Sequence, residues 1–141
     1  MDPRFDLDQD EMLRLLDVLH EGVYITDADR CIVYWSPGAE RITGWTSEDV
    51  LGRRCRDHIL DHVDFRGQDL CRGACPLALC MMDGRPRTER LFLRHKDDRR
   101  VYVEVRTFAL DGAAEAPRGA VEVFRDLTLV NDLLPADDLG T

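Results

Sequence analysis

The sequence predicts an α+β domain, an antiparallel sheet with short helices on one face. Three observations lead there. The runs 22–27 and 30–35 are rich in β-branched and aromatic residues and flank Ala28-Asp29, which reads as a hairpin. The runs 87–95, 99–110 and 119–128 alternate apolar and polar residues, as half-buried strands do. Between the two groups lie short capped helical segments. Hairpins with helices segregated to one side make an α+β domain.

Residues 1–9 form an acidic, flexible N-terminus. Asp8 to His20 places Met12, Leu15, Leu16 and Leu19 on one helical face. Asp8 can cap this helix with Glu11 three residues on, His20 sits at its end where a cation suits the dipole, and Gly22 can stop it. In the hairpin, Cys31 falls inside the second strand as a small buried residue. Ser36 and Pro37 start a short helix that carries Ala39 and Ile42 and stops at Gly44. Thr46 caps a second, leading to Val50-Leu51-Gly52. Helices this short must pack on a sheet to persist. Arg53 to Gly73 is the least regular stretch. Pro76 opens a helix through about Asp83, and Gly84 closes it.

The next strand places Leu91 and Leu93 on one face and Phe92 on the other, before a turn at Lys96-Asp97-Asp98. Val101, Val103 and Val105 share one face of the following strand, opposite Tyr102, Glu104, Arg106 and Phe108. Asp111 to Pro117 is a loop of small residues. The last strand alternates through Val121 and Val123. Residues 129–141 read as an acidic tail or the start of a linker. There is no internal repeat.

The 141 residues suit one domain, and 44% hydrophobic with 33% charged residues is globular composition. A net charge of −9 and a pI near 4.8 argue against binding a phosphate backbone. No apolar run approaches the roughly 20 residues of a membrane span. The start, Met1-Asp2-Pro3-Arg4-Phe5-Asp6, lacks a signal-peptide core, which points to the cytoplasm. Five cysteines in a reducing compartment argue against a disulfide framework.

The chemistry concentrates in one stretch. Cys71 and Cys75 sit four apart, Pro76-Leu77 follows, and Cys55, His58 and His62 lie upstream. Thiolates with an imidazole suit zinc or an iron–sulfur cluster. Cys75 precedes a helix N-terminus that favours thiolate, while Cys71 lies in a glycine-containing loop able to bring the two sulfurs together. The candidate metal ligands are therefore Cys55, Cys71, Cys75 and His62, with Cys80 in reserve and Asp64 or a backbone carbonyl orienting His62. The spacing is wider than a Cys-x-x-Cys pair. The same residues also read as small core side chains or a redox-responsive Cys71–Cys75 pair, so iron–sulfur, zinc and no metal at all stay open.

Cys80 shares a helical stripe with Leu77, Met81 and Gly84 and reads as core. His58 could cluster with Cys55 and His62 on one turn or belong to a solvated face, and His95, beside a charged turn, reads as structural. Trp35, Trp45 and Phe92 are packing residues or the lining of a cavity. Hydrolase, phosphate-loop and metalloprotease words are absent, so the sequence is not read as an enzyme, although Cys75 with His62 could mimic a thiol–base pair.

The order of elements and several words resemble a PAS domain. The words are Gly22-Val23-Tyr24-Ile25-Thr26-Asp27-Ala28-Asp29, Val33-Tyr34-Trp35-Ser36-Pro37-Gly38-Ala39-Glu40-Arg41-Ile42-Thr43-Gly44-Trp45 and Glu48-Asp49-Val50-Leu51-Gly52. His95-Lys96-Asp97-Asp98-Arg99-Arg100 and Gly119-Ala120-Val121-Glu122-Val123-Phe124-Arg125-Asp126-Leu127-Thr128 complete them. The resemblance assigns residues 10–128 to the domain and implies a five-stranded antiparallel sheet in the order 2-1-5-4-3, with short helices on one face and an N-terminal amphipathic helix. It implies a sensory or dimerisation module, a homodimer, and a histidine kinase or diguanylate cyclase as output in cis or trans. Asp126-Leu127-Thr128 matches the usual domain end, where a signalling helix begins; the thirteen residues beyond fit an excised domain or a stand-alone one. The insert Cys55, His62-Val63-Asp64 and Leu70-Cys71-Arg72-Gly73-Ala74-Cys75-Pro76-Leu77 resembles that of a bacterial subset of these domains. The Asn-Cys-Arg-Phe-Leu-Gln word of flavin-adduct light sensors and the Cys-x-x-Cys-His haem word are both absent.

Overall fold

The computed structural model describes residues 2–54, 57, 59–71, 73, 75–111 and 115–128. The elements run α1 (Gln9–Asp17), β1 (Gly22–Asp27), β2 (Ile32–Trp35), α2 (Pro37–Thr43), α3 (Ser47–Val50), α4 (Pro76–Asp83), β3 (Arg87–Arg94), β4 (Arg100–Ala109) and β5 (Gly119–Asp126). The strands form one antiparallel sheet in the order β2-β1-β5-β4-β3, as the resemblance implies.

Local chemistry sets the helix ends where the sequence places them. Asp8 caps α1 in a reciprocal box with Glu11. Ser36 accepts from the Ala39 N–H at the start of α2, and Gly44 ends that helix at φ 78°, a left-handed conformation that costs glycine nothing. Thr46 and Asp49 box α3, and Gly84 stops α4 after Pro76 opens it.

Three expectations change. The first helix ends at Asp17, capped by Val18, so His20 lies beyond it and Gly22 is not its stop. Gly22 opens β1 instead, because the Phe124 ring occupies the space where a β-carbon would stand. Cys31 precedes β2, bridged to Arg54, and is half-buried rather than inside a strand. In β5 Ala120, Glu122 and Phe124 face the core, and Val121 and Val123 lie on the other face. Phe124 pairs across from Val105, while Val123 pairs with exposed Arg106 on the outer face.

The core lies between the sheet and the helices. Tyr24, Trp35, Leu77, Cys80, Leu91, Leu93, Val101, Val103, Val105 and Phe124 are all buried there. No residue of α1 is buried. That helix is tied to the domain by the Tyr34 hydroxyl, which donates to Asp17 at 2.6 Å, while Arg41 donates to the Leu19 carbonyl just beyond it at 3.3 Å.

Candidate buried thiol–imidazole site

The irregular segment before α4 gains its shape from the edge of β3. The Val63 and Phe92 N–H groups donate to each other's carbonyls at 2.9 Å, and the Arg94 N–H donates to the Leu60 carbonyl at 2.6 Å. Val63 thus adds a rung outside β3. Side chains alternate across such a rung. His62 faces the core, and on the outer side Phe65 stacks edge-on against Phe92 and Tyr102 with centroids 5.4 and 5.6 Å away. Asp64 folds the tip by accepting from the Arg66 and Gln68 N–H groups, and Gly67 turns it at φ 76°. The return leg is held by the Leu70 N–H on the His62 carbonyl at 2.9 Å. That closure sets Cys71 beside His62.

The result is a chain of three buried groups. Glu122, His62 and Cys71 are 1%, 3% and 2% exposed. His62 Nε2 lies 2.9 Å from Glu122 Oε2, and Nδ1 lies 3.4 Å from Cys71 Sγ. The His62 backbone N–H also donates to Cys71 Sγ at 3.3 Å. Glu122 stands in the middle of the sheet, across from Tyr24 in β1 and Thr107 in β4. Burial alone would push the imidazole down, but the Glu122 carboxylate and the Cys71 sulfur outweigh it and hold His62 well above its ordinary value of 6.5.

The proposed ligands divide. His62 and Cys71 come together. Cys75 is buried at the N-cap of α4 and makes no capping hydrogen bond. Cys80 is core, its thiol donating to the Leu77 carbonyl at 3.2 Å, and burial raises it above the usual thiol value. Cys55 and His58 lie outside the described residues, as does the tail 129–141. Among the described residues no three His, Cys, Asp or Glu side chains are placed to hold a metal ion. Glu122 and Cys71 approach opposite nitrogens of one ring, so a single ion cannot take both. Cys31, Cys75 and Cys80 are free thiols.

Asp64 does not orient His62: its Oδ1 serves the loop tip, and Glu122 holds the ring instead. Glu122 is the site residue that sequence reading missed. Its signal was a charged residue within the apolar run Val121 to Phe124 of a central strand. Trp35 is buried and donates to the Trp45 carbonyl at 2.8 Å, and Trp45 lies beneath Arg94 and Lys96. Phe92 faces outward, against the Phe65 and Tyr102 rings. His95 accepts from the Asp97 N–H within its turn, a structural role. An open groove of about 400 Å³ lies beside Arg30, Met81 and Met82, and none of the three site residues lines it.

A family model for the PAS domain matches residues 20–129, and the chain belongs to that family. Solved structures agree on the fold. The PAS domain of a protein from Colwellia psychrerythraea superposes with a TM-score of 0.68 at 19% identity, over 85% of this chain and 97% of that one. The PAS domain of nitrogen regulation protein NR(II) from Vibrio parahaemolyticus gives 0.63 at 16%, over 82% and 96%. A LOV protein from Rhodobacter sphaeroides gives 0.66 at 19%, over 86% and 69%. No curated protein sequence matches the chain. Domains of this family are generally sensory or interaction modules. Among the described residues no helix is long and apolar enough to cross a membrane.

Proposed function

We propose that this PAS domain is a cytoplasmic, non-catalytic sensor that reads redox state at its buried thiols and passes the signal to a histidine kinase or diguanylate cyclase, in cis or in trans. One observation carries the reading: a thiol, an imidazole and a carboxylate form a continuous chain inside the core, ending on β5. Apolar cores rarely spend three ionisable groups on packing, since burying them is costly unless they pair. β5 is the last strand of the domain, so a change at the thiols bears on the segment that leaves it. The mechanism is a population shift between two packings of that strand.

The test is stepwise oxidation of anaerobically purified protein with hydrogen peroxide, followed by mass spectrometry, metal analysis and amide spectra of β5. Oxidation confined to the insert thiols, with shifted β5 resonances, supports the reading. Stoichiometric zinc, or iron with visible absorbance, would transfer it to a metal centre on the Cys71–His62 edge completed by Cys75 and Cys55. Inert thiols in a metal-free folded protein would overturn both.

A second reading is a cofactor-free dimerisation module. The exposed apolar side chains of Met12 and Leu15 on α1, and of Val18 and Leu19 just after it, favour it.

A further inference from the structure

The three buried thiols around α4 are not equivalent. Cys80 spends its S–H on the Leu77 carbonyl, and Cys75 makes no capping bond. Cys71 lies against both the backbone N–H and the ring Nδ1 of His62, at 3.3 and 3.4 Å. The backbone N–H aimed at sulfur favours electron density there, and a ring nitrogen beside the thiol can take its proton; both favour attack of the sulfur on an electrophile. The backbone N–H is fixed by the fold. The ring is not: imidazole can rotate about its bond to the β-carbon and exchange its proton between nitrogens. What fixes it is the carboxylate on the opposite nitrogen, 2.9 Å away. An acceptor on one imidazole nitrogen decides how the other is presented.

We propose that Glu122 is the positioning residue of this site, holding His62 through Nε2 so that Nδ1 faces Cys71 and singles out Cys71 as the responsive thiol. The proposal rests on the thiol-sensing reading above and names the cysteine and the residue that selects it. The groups facing His62 fit this assignment. On β5 the ring meets Glu122, and the sulfur of Cys71 reaches it from the return leg of the loop. Tyr24 and Thr107 flank Glu122 in register from β1 and β4 and supply no competing charge. The carboxylate sits in a central strand paired on both sides, so its position is set by the ladder and not by a mobile loop.

The experiment is competitive alkylation of the folded chain with iodoacetamide, read cysteine by cysteine by mass spectrometry. In each event a carbon–sulfur bond forms and iodide leaves. Cys75 and Cys80 are as deeply buried as Cys71, so the ratio of labelling between them cancels general opening of the core. Three chains are compared: wild type, Glu122→Gln and Glu122→Leu. Glutamine keeps an oxygen that accepts from Nε2–H, whereas leucine keeps the bulk without an acceptor. Cys71 is expected to label about tenfold faster than Cys75 and Cys80 in wild type, the scale of one charge-assisted hydrogen bond. Glu122→Gln should retain most of that preference, and Glu122→Leu should abolish it. His62 should show a slowly exchanging Nε2-bound proton in nitrogen-edited spectra of wild type and Glu122→Gln. Equal labelling of the three thiols in wild type, or an unchanged Cys71 preference in Glu122→Leu, overturns the proposal. If Glu122→Leu does not fold, an unprotected Nε2 proton in wild type overturns it alone. A Cys71 preference that depends on Glu122 in a chain whose thiols resist peroxide would sink the redox reading and leave the positioning role standing.

Discussion

Two threonines show how finely polar groups are balanced around the site. The Thr26 and Thr107 hydroxyls are buried on the inner face and have no hydrogen-bond partner among the described residues. A buried hydroxyl without a partner forfeits its hydration and gains nothing in exchange. Valine matches threonine in shape and removes that cost. Thr107→Val and Thr26→Val should each raise stability by about 1 kcal/mol in urea unfolding. A loss of stability would mean that the hydroxyl bonds to a water or ligand within the core. Glu122 is the contrasting case, a buried acid that does have its partner. Its role was not legible in the sequence because Val121 and Val123 make an equally good apolar alternation on the other face. Register decides between the two patterns, and register is set by pairing with β1 and β4, which a single strand does not reveal. His62 and Cys71 were legible as residue types with soft donors. Their partnership depends on the bridge between Val63 and Phe92, a long-range contact that neither segment announces.

At the scale of elements the sequence was far more legible. Caps and stops at Asp8, Ser36, Gly44, Thr46, Pro76 and Gly84 act locally, so short spacing reads them correctly. The strand ends held to within a residue or two for the same reason. One junction carries a testable charge. Asp83 closes α4, and its carboxylate takes both Arg87 guanidinium nitrogens at 2.7 and 3.0 Å, across the turn into β3. The Arg87 guanidinium and then the Arg85 N–H hold the Asp83 carboxyl well below its ordinary value of 3.8. A depressed carboxyl stabilises the fold at pH above its unfolded value and loses that contribution as the pH falls through the folded one. Asp83→Asn should therefore be less stable than wild type at neutral pH, with the gap narrowing below about pH 3.8. The difference will be small, since both partners reach solvent and exposed pairs are screened. Urea unfolding of both chains across that range decides it, and a gap independent of pH would show that the junction is held by packing.

For the molecule as a whole, the open question is what covers α1. The helix has a reciprocal cap and one apolar stripe, yet none of its residues is buried, and Met12, Leu15, Val18 and Leu19 face solvent. A nine-residue helix is marginal alone in water, so a stripe of this kind gains stability only against another surface. The domain itself half-covers Leu13 and Leu16 and ties the helix through the Tyr34–Asp17 and Arg41–Leu19 hydrogen bonds. A second copy presenting the same helix would bury both stripes at once, with two-fold symmetry. Removing residues 1–20 should then convert a dimer into a monomer in sedimentation velocity. It should lower the melting of the remaining domain only modestly, each of the two lost hydrogen bonds being worth about 1 kcal/mol. The two readouts separate the cases. If the full chain is monomeric at the highest concentration tested, α1 serves a partner other than a second copy. If truncation instead lowers the melting temperature sharply while leaving the assembly intact, the helix belongs to the fold, and the contact between copies lies on another surface.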